Sequence, residues 1–355
     1  MLLIRELMRA GSDFEPVVVV AENGPLARFL ADRAIPCEPI DVRYRWDQPT
    51  NVFGRARAAV SPALRLAAVL RRQRCLMVHT NDARMHVLWA APARLAGAAH
   101  VWHQRSRYAP SRLSDLALRA ARSVVCISRF AASTMPAPVA GRTTVVDNPF
   151  LPAAVDRMAA RAAMLAACDA PPGAAVVAFV ANLTLQKRPS LFLAAAQLLV
   201  GMLGRPVVFP ILGADRDGLE SDLRHQATAA GIGDRVRFLG FREPVEQWLA
   251  GADLLLAPAV EDAFGRTLVE AIHVGTPVVA ARSGGHTEIL AHGQTGILVP
   301  PDDARALAGA AYRVLTELDL RERLTATARA EVLPRYTLAR HVAAIASIYR
   351  QLSPA

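Results

Sequence analysis

The chain has 355 residues, of which 53% are hydrophobic and 20% charged, and this composition excludes a disordered chain and suffices for two packed domains. No apolar stretch reaches the roughly 20 residues of a membrane-spanning helix. Charged Arg5, Glu6 and Arg9 interrupt what would be the apolar core of a signal peptide. We therefore expect a cytoplasmic protein. The cysteines lack a CxxC pair, which predicts reduced thiols instead of a zinc site or disulfides.

The net charge of +10 belongs to the first half of the chain. Residues 1–150 contain 21 arginines and 11 acids, whereas the remainder has 20 basic and 20 acidic residues. The arginines are densest in residues 54–74. Such a segment suits anionic lipid, an acidic acceptor or nucleic acid, or it is only a solvated helix face. Lys187 is the only lysine among the 41 basic residues.

Short apolar runs alternate with helix-length, alanine-rich segments, which is typical of parallel strands with crossover helices. Helices are predicted at Leu2–Ala10, Arg188–Leu203 and Ala263–Val274. The predicted strands, in chain order, are Val17–Val20, Leu76–His79, Ala99–Trp102, Val124–Ile127, Thr144–Val146, Ala175–Ala181, Val207–Leu212, Val236–Leu239, Asp253–Ala257, Pro277–Ala280 and Gly296–Val299.

This alternation predicts an α/β protein with two doubly wound, Rossmann-like domains and a ligand cleft between them. The Pro-bearing segment 147–154 marks the boundary, giving a first domain at 1–150, a second at 151–337, and a last helix at 338–355 that crosses back to the first domain. The first domain opens on a helix that ends at Gly11, where a doubly wound unit normally opens on a strand. We expect its sheet to lack the strand that would precede Met1.

The most informative segment is APAVEDAFGRTLVEAIHVGTPVVA, residues 257–280. Asp262 is predicted in the loop after a buried strand, and Glu270 about two turns into the next helix. Taken alone, Asp262 could be a helix cap and Glu270 a surface carboxylate. The free amides at the helix start suit an anion or sugar hydroxyls. They belong to Phe264, Gly265 and Arg266.

The second half of the chain, from about residue 176 to 315, resembles the retaining GT-B glycosyltransferases of family 4. In that family a Glu-x7-Glu pattern precedes Gly-Thr-Pro-Val-Val, as Asp262-x7-Glu270 precedes GTPVVA at residues 275–280 here. The resemblance implies transfer from a nucleotide sugar with retention of the sugar's anomeric configuration. Asp262 would hold hydroxyls of the donor sugar, and Glu270 would hold the nucleotide's ribose. The first acid of the pattern is Asp in this chain.

The segment FVANLTLQKRPSLFLAAAQLL, residues 179–199, is similar to the family's strand, its Gly-Arg-Leu turn and its lysine five residues after the Arg. Lys187 falls on that lysine and would stabilise the charge on the leaving diphosphate. Its being the only lysine supports this assignment independently of the family. The family's arginine is Asn182 here, so Arg188 or Arg266 is expected to supply the missing charge.

In the first half, VWHQRS at residues 101–106 resembles the family where it has a histidine near the donor sugar. His103 follows a predicted strand, and its neutral imidazole would hydrogen-bond a sugar hydroxyl. We expect His79 and His100 to be structural.

Asp215-Arg216-Asp217 matches the metal-binding Asp-x-Asp of another glycosyltransferase fold, but helix capping explains it. We expect no metal and no cofactor.

The acceptor is not specified by these motifs. A lipid-linked or polysaccharide acceptor met at an anionic membrane surface fits the basic first domain, and no nucleic acid is expected. Two alternatives remain open. One is a sugar-nucleotide epimerase or a phosphorylase of the same fold. The other is a basic protein that binds lipid or nucleic acid and whose donor site has decayed.

Overall fold

The computed structural model describes residues 2–9, 13–20, 22–40 and 52–353, with no account of the side chains at 2, 25 and 52–61. The strands are β1 Val19–Val20, β2 Glu38–Pro39, β3 Met77–Thr80, β4 Ala99–Gln104, β5 Ser123–Cys126, β6 Thr143–Val145, β7 Ala175–Val180, β8 Val207–Leu212, β9 Val236–Gly240, β10 Leu254–Ala257, β11 Val278–Ala281 and β12 Ile297–Val299. The α-helices are α1 Leu2–Leu7, α2 Pro25–Ala31, α3 Val52–Arg72, α4 Ala83–Ala96, α5 Arg112–Ala120, α6 Arg129–Ser133, α7 Arg157–Ala167, α8 Pro189–Met202, α9 Glu220–Ala229, α10 Val245–Gly251, α11 Arg266–His273, α12 His286–Ile289, α13 Ala304–Thr316, α14 Leu318–Glu331 and α15 Leu338–Leu352.

The C-terminal domain is built on a parallel sheet of six strands in the order β12-β11-β10-β7-β8-β9. Every residue of the central strand β7 is buried, because helices cover both faces of the sheet. Successive side chains point to opposite faces, so β7 contributes to two apolar clusters. One cluster packs against α8 and α13, and the other continues into the N-terminal domain.

The N-terminal domain has a parallel sheet of four strands in the order β3-β4-β5-β6. Within the described ranges, β1 and β2 pair only with each other, which leaves β3 at an edge of the larger sheet. The first element described is α1, in agreement with the expected opening helix. The predicted stop of that helix at Gly11 lies outside the described residues.

The chain crosses between the domains at two neighbouring places. The N–H of Phe150 donates to the carbonyl of Tyr336 at 2.8 Å, which holds the two crossings together. Beyond the second crossing, α15 packs on the N-terminal sheet, where Ile345 and Tyr349 join a buried cluster with Val101. The last helix therefore contacts the first domain, as the sequence predicts.

Each of the eleven predicted strands coincides with a strand of the structure to within a few residues. The two-residue strand β2 is missed, because Glu38–Pro39 has no apolar alternation to reveal it. The four cysteines are free, with Cys126 and Cys168 buried. Among the described helices, none has the length and apolar character needed to cross a membrane.

Candidate functional site

Lys187 and Asp262 meet at the carboxyl ends of two adjacent strands of the C-terminal sheet. Lys187 ends a short 3-10 helix, residues 185–187, in the connection after β7, and Asp262 lies in the loop after β10. Lysine Nζ donates to Asp262 Oδ2 at 2.6 Å, and the side chains are 24% and 19% exposed. The structure thus brings the two predicted residues together, and Lys187 is not a free surface lysine.

His286 contacts the same carboxylate from behind. Its Nδ1 donates to the carbonyl of Ala281 at 3.2 Å, and its Nε2 lies 3.7 Å from Asp262 Oδ2. Burial alone would raise the pKa of Asp262, but the neighbouring imidazole of His286 and the charge of Lys187 hold that pKa below its ordinary value. Asp262 is therefore ionised throughout the neutral range.

Glycines allow the loops to approach closely enough to form this cluster. Gly284 has a φ of 55°, and a Cβ there would lie 2.4 Å from the carbonyl oxygen of Asp262. Its neighbour Gly285 donates its N–H to that carbonyl at 2.7 Å. Gln186 ties the 3-10 turn to the same loop by donating to the carbonyl of Glu261 at 2.8 Å. The backbone around Asp262 is thus fixed before any ligand binds.

Glu270 lies on α11 and is 4% exposed, so the alternative of a surface carboxylate is wrong. Burial raises the pKa of Glu270, whereas the charge of Arg266 opposes the rise. Arg266 Nε donates to Glu270 Oε1 at 2.7 Å. The pair leaves one carboxylate oxygen and the outer guanidinium nitrogens available for a ligand.

The helix carrying Glu270 begins at Arg266 and not at Ala263. Its N-cap is Gly265, with a φ of 95° and no side-chain cap hydrogen bond, so the alternative of Asp262 as a cap is wrong. The first N–H groups of a helix have no intrahelical acceptor, which suits them to an anion or a hydroxyl group. The side chain of Phe264 is buried against Tyr336, so only its backbone is suited to a ligand.

Other predicted residues have structural contacts. Asn182 Oδ1 accepts from the N–H of Ala214 at 3.2 Å, and Arg188 pairs with Asp302 at 3.1 Å where α8 begins. Asp215 accepts from two N–H groups at the start of α9, at 2.8 and 3.1 Å, which agrees with its predicted capping role. Of the two arginines expected to compensate for Asn182, only Arg266 contacts a predicted site residue.

The structure corrects the expected position of His103. The residue lies inside β4 and is 1% exposed, whereas the sequence suggested a loop facing the cleft. Its Nδ1 lies 3.0 Å from His79 Nε2, and His79 bonds the hydroxyl of Tyr349 at 2.5 Å. Burial lowers the pKa of His103 well below its ordinary value, so the ring is neutral. Its contact with a donor sugar stays a prediction.

The opposite wall of the cleft comes from the N-terminal domain. The chain leaving β4, residues 105–109, faces Gln186 and the loop of Asp262 across a space of about 460 Å³. Across this space, Arg107 Nη1 lies 3.8 Å from Glu261 Oε2. The cleft therefore places the Lys187–Asp262 pair opposite an arginine-bearing loop.

A second set of contacts joins the domains beside this cleft. The carboxylate of Glu288 accepts from the N–H groups of Arg129 and Phe130, at 2.9 and 2.6 Å, at the start of α6. Ser128 Oγ donates to the carbonyl of Ala263, next to Asp262. These contacts join the N-terminal domain to the segment that carries Asp262 and to α12.

Sequence reasoning missed His286, Glu288 and Arg105. The Gly-Gly pair before His286 was a usable signal, because adjacent glycines often mark a close backbone approach. Arg105 was hidden among the arginines of the first domain. In the part of the chain that the structure describes, no group of three or more His, Cys, Asp or Glu side chains is arranged to hold a metal ion.

Comparison with known proteins identifies a matching family model and several relatives. Residues 165–331 match the family model for glycosyl transferases group 1. The chain is 31% identical over 167 residues to 2-deoxystreptamine N-acetyl-D-glucosaminyltransferase of Niallia circulans, covering 46% of this chain and 42% of that protein. It is 30% identical over 135 residues to the lipopolysaccharide core biosynthesis mannosyltransferase LpsB of Rhizobium meliloti, covering 38% of each. The chain spans less than half the length of these relatives.

The fold extends the similarity to both domains. The structure of Anabaena Alr3699/HepE in complex with UDP and glucose superposes with a TM-score of 0.79 at 22% identity, covering 98% of this chain and 94% of that one. At that identity the likeness shows the fold alone. The chain therefore has the GT-B fold of glycosyltransferases, and its residues 165–331 match the group 1 glycosyltransferases.

Proposed function

We propose that this protein is a retaining glycosyltransferase of family 4 that moves a sugar from a nucleoside-diphosphate sugar to an acceptor hydroxyl. The observation that carries the proposal is the fixed cluster of Lys187, Asp262 and His286 at the carboxyl ends of β7 and β10. A ligand between two doubly wound domains binds at this edge of the sheet. Buried Glu270 lies one helix turn beyond the start of α11, within the same domain.

Each residue has a role in the proposed reaction. The bond between the sugar's anomeric carbon and the diphosphate oxygen breaks, and Lys187 stabilises the charge left on that oxygen. Asp262, held by Lys187 and His286, accepts hydrogen bonds from sugar hydroxyls. Glu270 accepts from the ribose hydroxyls. The acceptor oxygen bonds to the same face of the anomeric carbon and gives its proton to the departing phosphate, so the route needs no enzyme nucleophile and no metal.

The relatives have different acceptors, as their names show. One acts on 2-deoxystreptamine and another in lipopolysaccharide core biosynthesis. For this chain we propose a lipid-linked or polysaccharide acceptor, reached at the cytoplasmic face of an anionic membrane, because the whole excess of positive charge lies in residues 1–150. This first domain forms the acceptor side of the cleft.

Turnover of a nucleotide-sugar panel tests the proposed function. The purified chain is incubated with UDP-, GDP-, ADP- and dTDP-sugars and with membrane extract as the acceptor source, and free nucleoside diphosphate is measured. We expect release from one donor, dependent on the extract, and an anomeric proton of retained configuration in the product. Conversion of the donor into its epimer without release would identify an epimerase. Binding of lipid with no turnover of any donor would identify a binding protein.

A further inference from the structure

Arg105 directly follows β4 and lies on the N-terminal wall of the cleft, opposite Asp262. Its Nη2 donates to Oδ1 of the buried Asn148 at 2.8 Å. This bond fixes the guanidinium and leaves its other donors available. Within the described part of the chain, no ion pair joins Arg105 to a carboxylate, although Glu261 and Asp262 line the same cleft. An arginine held in place without a counter-charge is suited to a ligand anion.

Among the described residues, the carboxylates that line the cleft beside Arg105 are paired with other cations, Glu261 with Arg107 and Asp262 with Lys187. The side chain of Arg105 is exposed at the cleft, yet partial burial of its guanidinium and then the charge of Arg266 on the other domain lower its pKa. Behind it lie His79, His103 and His341, whose pKa values burial lowers, so they supply no charge of either sign at neutral pH. Glu270 neutralises Arg266 in part, but among the described residues no carboxylate is paired with Arg105. The repulsion across the cleft is relieved when an anion enters between the two guanidinium groups.

We propose that Arg105 is a further substrate-binding residue, which holds the diphosphate of the nucleotide sugar from the N-terminal domain while Lys187 and Arg266 hold it from the C-terminal domain. This inference rests on the proposed function. A diphosphate offers oxygens at the spacing that a guanidinium binds through two parallel N–H bonds. Because the cations belong to different domains, the bound donor itself draws the cleft closed. The sugar is then delivered to the acceptor wall.

Calorimetric titration of the full chain tests the assignment. Wild type is first titrated with UDP, GDP, ADP and dTDP to find the nucleotide it binds. That nucleotide, its nucleoside and inorganic pyrophosphate are then titrated into Arg105→Gln, Arg105→Lys and Arg119→Gln. Arg119 is an exposed cation on α5 of the same domain, so its replacement controls for net charge. Thermal unfolding shows whether each variant is folded. If Arg105→Gln is not folded, the comparison is made with Arg105→Lys.

We expect Arg105→Gln to weaken the binding of the nucleoside diphosphate and of pyrophosphate by about 10-fold or more, whereas the affinity for the nucleoside should not change. Arg105→Lys keeps the charge but loses the paired donors, so its affinity for the diphosphate should lie between those of wild type and Arg105→Gln. Arg119→Gln binds like wild type. Unchanged diphosphate affinity in a folded Arg105 variant overturns this inference but not the proposed function. An equal loss of affinity for the nucleoside has the same consequence. If wild type binds no nucleoside diphosphate, the proposed function fails as well.

Discussion

The two domains have related strand-helix patterns but use their charges differently. In residues 151–355, basic and acidic residues are equal in number, and the charged residues of the cleft form the short pairs Lys187–Asp262 and Arg266–Glu270. In the N-terminal domain, arginines outnumber acids, and the buried titratable side chains that the structure describes include the histidines His86, His100 and His103. Paired, partly buried charges are typical of a site that binds one ligand in one orientation. A surplus of one sign attracts an extended anionic partner.

The two domains also differ in how their strands are joined. All six strands of the C-terminal sheet are joined in one parallel array, which fixes the positions of the loops after β7 and β10. Within the described residues, the strands of the N-terminal domain are divided between two sheets. A divided sheet restrains its loops less, because fewer ladder hydrogen bonds connect them. We infer that the donor-binding geometry resides in the C-terminal domain, whereas the N-terminal domain adapts to the acceptor.

Removal of the Lys187 charge has the largest expected effect. We predict that Lys187→Ala lowers the rate of sugar transfer by about 100-fold or more, because a fixed cation at the leaving oxygen acts mainly in the transition state. The measurement is turnover at saturating donor. Arg313→Ala removes an exposed cation of the same domain on α13 and serves as the control. Near-normal turnover by a folded Lys187→Ala would remove Lys187 from the reaction.

Neutralising Asp262 comes next. We predict that Asp262→Asn lowers turnover by about 10-fold or more and the free energy of unfolding by about 1–3 kcal/mol, because Lys187 loses a charged partner. Asp262→Glu keeps activity or changes the preferred donor sugar. A silent Asp262→Asn, in both rate and stability, would contradict the assignment.

The stability difference has a predictable dependence on pH. The pKa of Asp262 is held below its ordinary value of 3.8, so the carboxylate stabilises the fold at neutral pH, and this contribution is lost only as the pH falls below 3.8. The gap between the unfolding midpoints of wild type and Asp262→Asn should therefore be constant through neutral pH and close in acid.

Glu270 should affect affinity more than rate. We predict that Glu270→Gln raises the KM for the donor by about 10-fold with little change in kcat, because a contact to the ribose is far from the reacting carbon. Burial raises the pKa of Glu270, so its charged form opposes folding at neutral pH, and Glu270→Gln should not destabilise the protein. A fall in kcat at unchanged KM would place Glu270 at the reaction centre instead.

The sequence was sufficient to predict where the strands lie along the chain. It was not sufficient to predict the contacts between distant loops. Apolar runs such as Val207–Leu212 predict strands because burial on both faces requires continuous apolar residues. The motif positions of Lys187, Asp262 and Glu270 likewise follow from local pattern. The contact of His286 with Asp262 does not, because it depends on how two loops meet in space. His103 was placed in a loop because the strand was expected to end two residues too early.

The smallest predicted effect concerns the surface of the N-terminal domain. Arg65 and Arg74 are exposed on and just after α3, whereas Arg72 pairs with Glu38. We predict that replacing Arg65 or Arg74 by Gln weakens binding to anionic vesicles by about 1 kcal/mol each, and that high salt abolishes the binding. Sedimentation with anionic and neutral vesicles measures this, with Arg224→Gln of the other domain as control. Equal binding to both kinds of vesicle would leave the charge a solubilising surface.

A structure of the chain with its nucleoside diphosphate tests the division between the domains most directly. We predict that the diphosphate lies within hydrogen-bond distance of Lys187 Nζ and that the ribose hydroxyls bind Glu270, with Asp262 free to face the sugar. The nucleotide would thus be held mainly by residues of the C-terminal domain. A nucleotide bound at the N-terminal domain, with Lys187 and Glu270 out of reach, would contradict the account.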